Sequence, residues 1–374
     1  MIILQQLHEA YDELLYQEDY NFIDTLLATY ITTRVSGEPI WLVPTAPSGY
    51  GKTEYQRPYM KLSEDDKYNI LMLDSATARS FASGMSKKDR DSVDYGAKMA
   101  GQCTFILIPD MASILSTNAE ERGALFAMFR TLYDGYIIRS TGSECKTYKD
   151  IYTHLFACST PEVKYDVEFL NKAGTRELLY DAIKIEHPEK RLSKQINDNG
   201  RSELYSITKD YIDQLLPKLD TIGDYQCKND LPIDHIANYI SAWRVEPKVD
   251  DFGYLVQKVQ PEYIDRVFKQ LKKLYMGLKF IGVEEPLQTL KSIRDGCGNT
   301  LRREVYNYLD KEDPLELLRK PKSLISISND INRSKDAVRT QLMILRDLDW
   351  VYVSPNSEGK VFSDNSMWTI EDKI

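Results

Sequence analysis

The chain is short of everything that a membrane protein, a disulfide scaffold or a metal-cage protein needs. No apolar run approaches the roughly 20 residues required to cross a bilayer. The five cysteines (Cys103, Cys145, Cys158, Cys227, Cys297) are scattered, odd in number and never spaced as Cys-x-x-Cys, which argues for reduced thiols. The four histidines (His8, His154, His187, His235) are isolated and form no metal-ligand pair. The opening Met1-Ile2-Ile3-Leu4-Gln5-Gln6 lacks the basic start and long apolar stretch of a signal peptide, so a cytoplasmic protein with no membrane partner is expected. There is no internal repeat and no low-complexity tract. Positive charge is also in deficit: a net charge of -9 speaks against a surface coated in nucleic acid, though not against a local basic face. What remains is 374 residues at 42% hydrophobic and a mean hydropathy of -0.44, enough for two or three globular domains.

Residues 1–35 have helical periodicity, with Leu4, Leu7, Tyr11, Leu14 and Leu15 on one stripe and Phe22, Leu26, Leu27 and Tyr30 on a second. Ser36-Gly37-Glu38-Pro39 breaks it. Short apolar runs at 40–43, 70–73, 104–108 and 153–158, separated by amphipathic stretches, predict parallel strands in an α/β sandwich. The polar stretch 186–204 reads as a linker, and 205–292 returns to helical periodicity without strand signals.

The first of these runs, Ile40-Trp41-Leu42-Val43, leads into Pro44-Thr45 and then Ala46-Pro47-Ser48-Gly49-Tyr50-Gly51-Lys52-Thr53. That is a P-loop with alanine at its first glycine position. Successive N–H groups must curl round a phosphate, so Gly49 and Gly51 supply unusual dihedrals. Lys52 reaches the β- and γ-phosphates, and Thr53 offers its hydroxyl to Mg²⁺ at a helix N-terminus. Glu54 adds a carboxylate beside the γ-phosphate, or else a solvated first-turn acid favoured by the helix dipole. Some 55 residues on, Phe105-Ile106-Leu107-Ile108-Pro109-Asp110 brings an acid to the C-terminal end of a strand, where open α/β sheets bind ligands. No Asp-Glu pair follows the apolar run. Pro109 takes the first acidic place, so Asp110 is either the magnesium-side acid or the general base.

Past Asp110 come a helix at 120–132, then Tyr133-Asp134-Gly135-Tyr136-Ile137-Ile138-Arg139-Ser140-Thr141-Gly142, then Thr153-His154-Leu155-Phe156-Ala157-Cys158 and Ser159-Thr160-Pro161. This order resembles the AAA+ superfamily, in particular the branch holding MCM-type helicases and bacterial enhancer-binding activators. The resemblance implies that Thr160 or Ser159 is the sensor 1 residue, touching the γ-phosphate or the attacking water. It makes 136–152 a pre-sensor hairpin, with Lys146 and Lys149 as candidates to enter a central pore and contact DNA. Phe169-Leu170-Asn171-Lys172-Ala173-Gly174-Thr175-Arg176-Glu177-Leu178 resembles the arginine-finger stretch, which would send Arg176 to a neighbour's γ-phosphate; a surface salt bridge is the plainer reading. The stretches Ile236-Ala237-Asn238-Tyr239-Ile240-Ser241-Ala242-Trp243-Arg244 and Pro261-Glu262-Tyr263-Ile264-Asp265-Arg266 resemble the MCM-like lid. Arg266 stands at the sensor 2 place, closing on the nucleotide in cis or in trans, unless it simply pairs with Glu262 or Asp265.

At the C-terminal end, two short helical segments precede a third, which Ser334 caps and Val338, Leu342, Leu345 and Leu348 turn inward. Trp350-Val351-Tyr352-Val353, a turn at 355–359, Val361-Phe362 and Met367-Trp368-Thr369-Ile370 follow as a β-wing. Between 315 and 346 seven basic residues face three acids, a local reversal of charge. A winged helix that holds DNA through Lys335, Arg339 and Arg346 is expected, with protein contact as its alternative.

Together these features predict an α/β AAA+ P-loop core, a parallel sheet sandwiched by helices, at 37–190. A helical extension would precede it at 1–36, a helical lid would follow at 200–292, and a winged-helix domain would occupy 298–374. The cofactors implied are ATP and Mg²⁺. The partners implied are DNA, further copies of the chain in a ring (a hexamer by resemblance) and other replication proteins. The activity implied is that of an MCM-like helicase or translocase in replication of a phage or mobile element. A DNA-binding AAA+ switch, a helicase loader or transcription activator that remodels a protein, shares every motif. The missing Asp-Glu pair also leaves room for a P-loop scaffold that binds ATP without hydrolysing it.

Overall fold

The computed structural model describes residues 2–16, 20–81, 94–141, 144–165, 176–182, 198–245, 247, 249–250, 255–310, 321–354 and 366–370. These form two compact units, Met1–Ile236 with Asp265–Gly296, and Ala237–Ile264 with Cys297–Ile374. Residues 237–264, expected in the lid, therefore pack with the C-terminal module. The stretch 169–175, the linker as far as 197, the wing turn 355–359 and Val361-Phe362 lie outside the described residues. Among the described residues no helix is long and apolar enough to cross a membrane.

The first unit begins with helices α1 (Leu4–Leu14) and α2 (Asn21–Thr32), strand β1 (Trp41–Thr45), α3 (Lys52–Leu62) and β2 (Ile70–Met72). Short helices α4 (Ala78–Phe81) and α5 (Tyr95–Met99) lead to β3 (Cys103–Ile108), α6 (Ala112–Leu115) and α7 (Ala119–Tyr133). An antiparallel hairpin of β4 (Ile137–Thr141) and β5 (Glu144–Tyr148) precedes β6 (Tyr152–Ala157) and β7 (Glu177–Asp181). Helices α8 (Asp198–Leu215), α9 (Leu231–Trp243), α10 (Ile264–Phe280) and α11 (Pro286–Gly296) follow.

Five strands make one parallel sheet in the order β2-β3-β6-β1-β7, flanked by helices. This is the α/β class predicted. Four of the strands are the apolar runs at 40–43, 70–73, 104–108 and 153–158, and all but short β2 are buried nearly throughout, as a sheet covered on both faces requires. The fifth, β7, has no such signature, because it opens on the buried acid Glu177 and ends on Asp181. Helix α8 starts at Asp198, inside the stretch read as linker: Asp198, Asn199 and Gly200 are polar, but Asp and Asn also favour a helix start.

The N-terminal helices are part of this unit. Phe22 of α2 meets Tyr55 of α3 and Phe156 of β6, with ring centroids 4.9 and 5.5 Å apart, and the Tyr11 hydroxyl donates to the Tyr55 carbonyl. Lys273 of α10 is buried and donates to the Val35 and Gly37 carbonyls after α2, closing that helix end. Burial pushes its amine down to about 8. On the other flank α11 lies against edge strand β7 so closely that Gly296 leaves no room for a side chain. A Cβ there would meet Asp181 N and Leu179 O at 2.7 Å.

The second unit holds α12 (Thr300–Asp310), β8 (Lys322–Ser323), α13 (Leu324–Asp330), α14 (Lys335–Asp347), β9 (Val351–Ser354) and β10 (Met367–Ile370). Its strands form an antiparallel sheet in the order β8-β10-β9. Val305, Leu324, Ile327, Leu342, Leu345 and Trp368 are central to its core. Ser323 and Ser334 cap α13 and α14 by accepting from Ser326 N and Ala337 N. Arg302, fully buried, donates to Gln341 Oε1 and to the Ala242 and Trp243 carbonyls, tying α12 to α14 and to the end of α9.

The approach of α11 to β7 is directly testable. Gly296→Ala should destabilise the chain by about 1–3 kcal/mol, the usual cost of forcing a methyl against packed backbone. Urea denaturation of the two proteins checks this, and an unchanged midpoint would mean that α11 sits further from the sheet.

Candidate nucleotide site

Strand β1 lies one strand in from the β7 edge of the sheet, and at its end the chain turns from strand to helix through residues 46–51. Gly49 and Gly51 have φ of +79° and +89°, a region closed to most L-residues. Pro47, Ser48 and Gly49 face solvent, while Ala46 and Tyr50 are buried. The Tyr50 ring is anchored against Phe22 and Tyr55, so the loop is held by its own side chain as well as by its backbone. Lys52 opens α3 with its ammonium drawn into the loop, donating to the Ala46 carbonyl at 2.6 Å and the Pro47 carbonyl at 3.2 Å. Thr53 is exposed beside it. Solvent-facing backbone, two left-handed glycines and a lysine at a helix N-terminus fit a polyphosphate.

Neighbouring strand ends are stitched to this loop. Ser159 N donates to Pro44 O at 3.0 Å, and Ala46 N donates to Ser159 O at 3.1 Å. Met111 N donates to Cys158 O in turn. The buried Gln56 amide of α3 donates to Lys52 O, to Pro109 O and to Cys158 Sγ, joining the helix to the ends of β3 and β6. Burial pushes the Cys158 thiol well up, so it serves here as a neutral packing group. Gln56 was not foreseen; a lone glutamine on a helix carries no signal in sequence.

Asp110 lies exposed just past β3, and its Oδ1 accepts from Ala112 N at 2.9 Å, which fixes the carboxylate at the start of α6. Among the described residues no group of three or more His, Cys, Asp or Glu forms a metal cage. Magnesium in a nucleotide complex needs none, since a carboxylate or hydroxyl plus phosphate oxygens and water suffice, and Asp110 and Thr53 have those donor types. Thr160 is half-buried, directly after Ser159, and its hydroxyl bonds the exposed carboxylate of Glu162.

Glu54 turns away from that role. Arg57 grips it at 2.8 and 2.9 Å and Arg201 of α8 at 3.1 and 3.2 Å, in a niche walled by Leu14, Leu15, Pro58 and Leu204. Burial alone would raise its carboxyl, but the two guanidiniums outweigh burial and hold it below the usual carboxylate value. A general base wants the opposite shift. Its position is that of a tie between α3 and α8.

The two candidate arginines lie together at the opposite end of the sheet. Arg176, just before β7, makes a two-pronged ion pair with Asp134 at 3.0 and 3.1 Å, and Arg266 of α10 approaches Glu38 at 3.8 Å. Both guanidiniums lie over the Tyr133 ring, at 5.5 and 5.8 Å from its centroid. The Tyr133 hydroxyl donates to Glu38 at 3.0 Å. Gln270 Nε2 of α10 reaches Pro39 O, the Tyr133 hydroxyl and Arg176 O. Glu38 precedes β1 and the P-loop follows it, so the cluster lies on the order of 20 Å from the loop of its own chain. Arg266 therefore stands away from the loop of its own chain. The intramolecular salt bridge weighed for Arg176 is present, with Asp134 as its partner.

The DNA candidates are unequal. Lys149 and Lys335 are exposed. Lys146, on β5, is half-buried and pairs with Asp94 at 3.4 Å. Arg339 pairs with Asp336 at 2.6 Å and Arg346 with Asp347 at 2.5 Å, so the basic face of α14 is partly neutralised by its own helix. No protein-family model and no curated protein matches the chain.

The Glu54 tie has a pH signature. A carboxyl held below its unfolded value of 4.5 contributes stability above that pH and loses it as pH falls through the folded value. Glu54→Gln should therefore lower the melting temperature at pH 7, and the gap to the parent should close below pH 4.5. A gap that persists in acid would mean that shape, not charge, holds α3 to α8.

Proposed function

We propose that the chain is a P-loop ATPase of the AAA+ type that binds Mg-ATP and works on DNA as a ring. The observation that carries this is the pairing of two sites at opposite ends of one sheet. A phosphate-binding loop stands at the C-terminal ends of the strands, and two arginines gather at the N-terminal ends. Neither arginine reaches the loop of its own chain, and on this reading the pair would meet a neighbour's nucleotide, with Arg176 first released from Asp134. Such a guanidinium stabilises transition-state charge in trans. Strand β6 lies between the P-loop strand β1 and the Asp110 strand β3, which is where a polar residue after β6 must be to act on the γ-phosphate.

The β4–β5 hairpin and the second unit support DNA as the track. The order helix, strand, helix, helix, strand, strand, with a capped third helix, is what a winged helix requires. Surface ion pairs such as Arg339–Asp336 contribute about 0–1 kcal/mol, so a phosphate can replace the acid at little cost. An MCM-like helicase or translocase, in the replication of a phage or mobile element, is the preferred activity. One observation favours the loader or activator alternative: Lys146, the hairpin residue nominated for DNA, is engaged by Asp94.

Lys52→Ala should reduce ATP turnover to background while leaving the thermal melt close to the parent, because it removes a transition-state cation. Arg176→Ala should bind ATP and fail to hydrolyse it. Mixing the two variants should restore part of the activity, since some interfaces in a mixed ring have both groups intact. Mixed rings with no recovered turnover would count against action in trans.

DNA binding by the whole chain should fall steeply with salt. Lys335→Ala should reduce the log–log slope for duplex by about 0.9, the loss of one phosphate contact. ATPase that ignores single-stranded DNA, with binding absent even at low salt, would favour the protein-remodelling alternative.

A further inference from the structure

A hydrolytic P-loop site needs a carboxylate to take the proton of the attacking water, and two of the nominal candidates are committed elsewhere. Glu54 is gripped by Arg57 and Arg201. Asp110 spends one oxygen on Ala112 N and has the donor type that magnesium takes. Asp181, at the end of β7, accepts from the Thr45 hydroxyl at 2.6 Å. Asp74 follows β2, three strands and roughly 14 Å across the sheet from β1. Glu162 differs in its position and in having no cation gripping it in an ion pair that the structure describes. It follows β6, the strand directly beside β1. The chain leading to it is locked to the P-loop by the Ser159 bonds to Pro44 and Ala46, and a short 3₁₀ turn, Pro161–Tyr165, folds it back with Val163 N on Thr160 O.

We propose that Glu162 is the base of the site, accepting the proton of the attacking water while the Thr160 hydroxyl holds its carboxylate in place. The proposal rests on the ATPase reading above. In the step, the water oxygen forms a bond to the γ-phosphorus, and the bond from that phosphorus to the β–γ bridging oxygen breaks. ADP leaves with the electron pair, the proton passes to Glu162, and inorganic phosphate is the second product. Glu162 is exposed, so water can reach it. Hydrogen bonds from Thr160 and from its own backbone N–H keep its carboxyl below the usual range. It is therefore ionised at neutral pH; the lowered carboxyl, as at Glu54, adds no base strength, and it is position beside the loop and exposure to water that nominate it. It also supplies, from the adjacent strand, the acid that the missing Asp-Glu pair leaves unfilled.

The test measures Mg-ATP hydrolysis and binding of a fluorescent ATP analogue on the full chain, for the parent, Glu162→Gln, Glu162→Asp and Lys52→Ala. The expected result is that Glu162→Gln loses at least ~100-fold in turnover. It should keep the parent's nucleotide affinity and melting temperature, and Glu162→Asp should recover part of the rate. If Glu162→Gln hydrolyses ATP at the parent rate while Lys52→Ala is dead, the ATPase reading stands and Glu162 is not the base. Loss of nucleotide binding together with turnover would make Glu162 a packing group, which also overturns the proposal. A parent chain that binds no ATP removes both.

Discussion

Two backbone hydrogen bonds, from Ser159 N to Pro44 O and from Ala46 N to Ser159 O, fix the geometry that the rest of the candidate site uses. They are needed because of Pro44. Proline has no N–H to give, and the β1–β6 ladder runs only through Trp41 and Leu42 before it resumes as an isolated Thr45–Ser159 bridge. The strand is thus released at the point where the chain must leave the sheet, and Ser159 recaptures it one residue later. With that anchor set, the Gln56 amide orients α3, the Tyr50 ring pins the loop, and the left-handed glycines curve it. A loop of unusual dihedrals persists only where its surroundings over-determine it, and here strand, helix and aromatic cluster all do so.

Charge is divided in the same way as the backbone. At the loop end Lys52 is turned onto carbonyls, and the acids around it are separated by strand spacing and by their own hydrogen bonds. At the far end two arginines and two acids are gathered over one tyrosine. Burial, the Glu38 charge and the Glu38 hydrogen bond push the Tyr133 hydroxyl far up, so it stays neutral and acts as a fixed plate between them.

How much of this was legible follows from which residues carry local information. The turn at 46–51 was plain, because left-handed glycines and a lysine before a helix leave a mark in eight consecutive positions. The strands at 40–43, 70–73, 104–108 and 153–158 were plain as well, since a strand covered on both faces has to be continuously apolar. Strand β7 was missed because Glu177 is buried by neighbours distant in sequence. Gln56, Asp134 and Glu38 were missed for a related reason. Each acts on a residue brought to it by the fold, and a single polar side chain on an ordinary helix or turn looks the same whether or not it has a partner. On α14 the spacing places Arg339 outside the apolar stripe, and the structure adds that its guanidinium pairs with Asp336.

The Gln270 amide has a mechanical meaning. One nitrogen on α10 is shared among Pro39 at the entry to β1, the Tyr133 hydroxyl at the end of α7 and the Arg176 carbonyl at the entry to β7. Arg266 rides on the same helix, one turn earlier. The Arg176 backbone and the Arg266 side chain are thereby held by one helix, at the entry to two strands. A shift of α10 would therefore disturb the entries to β1 and β7 and the end of α7 together, since all three share the one Gln270 amide.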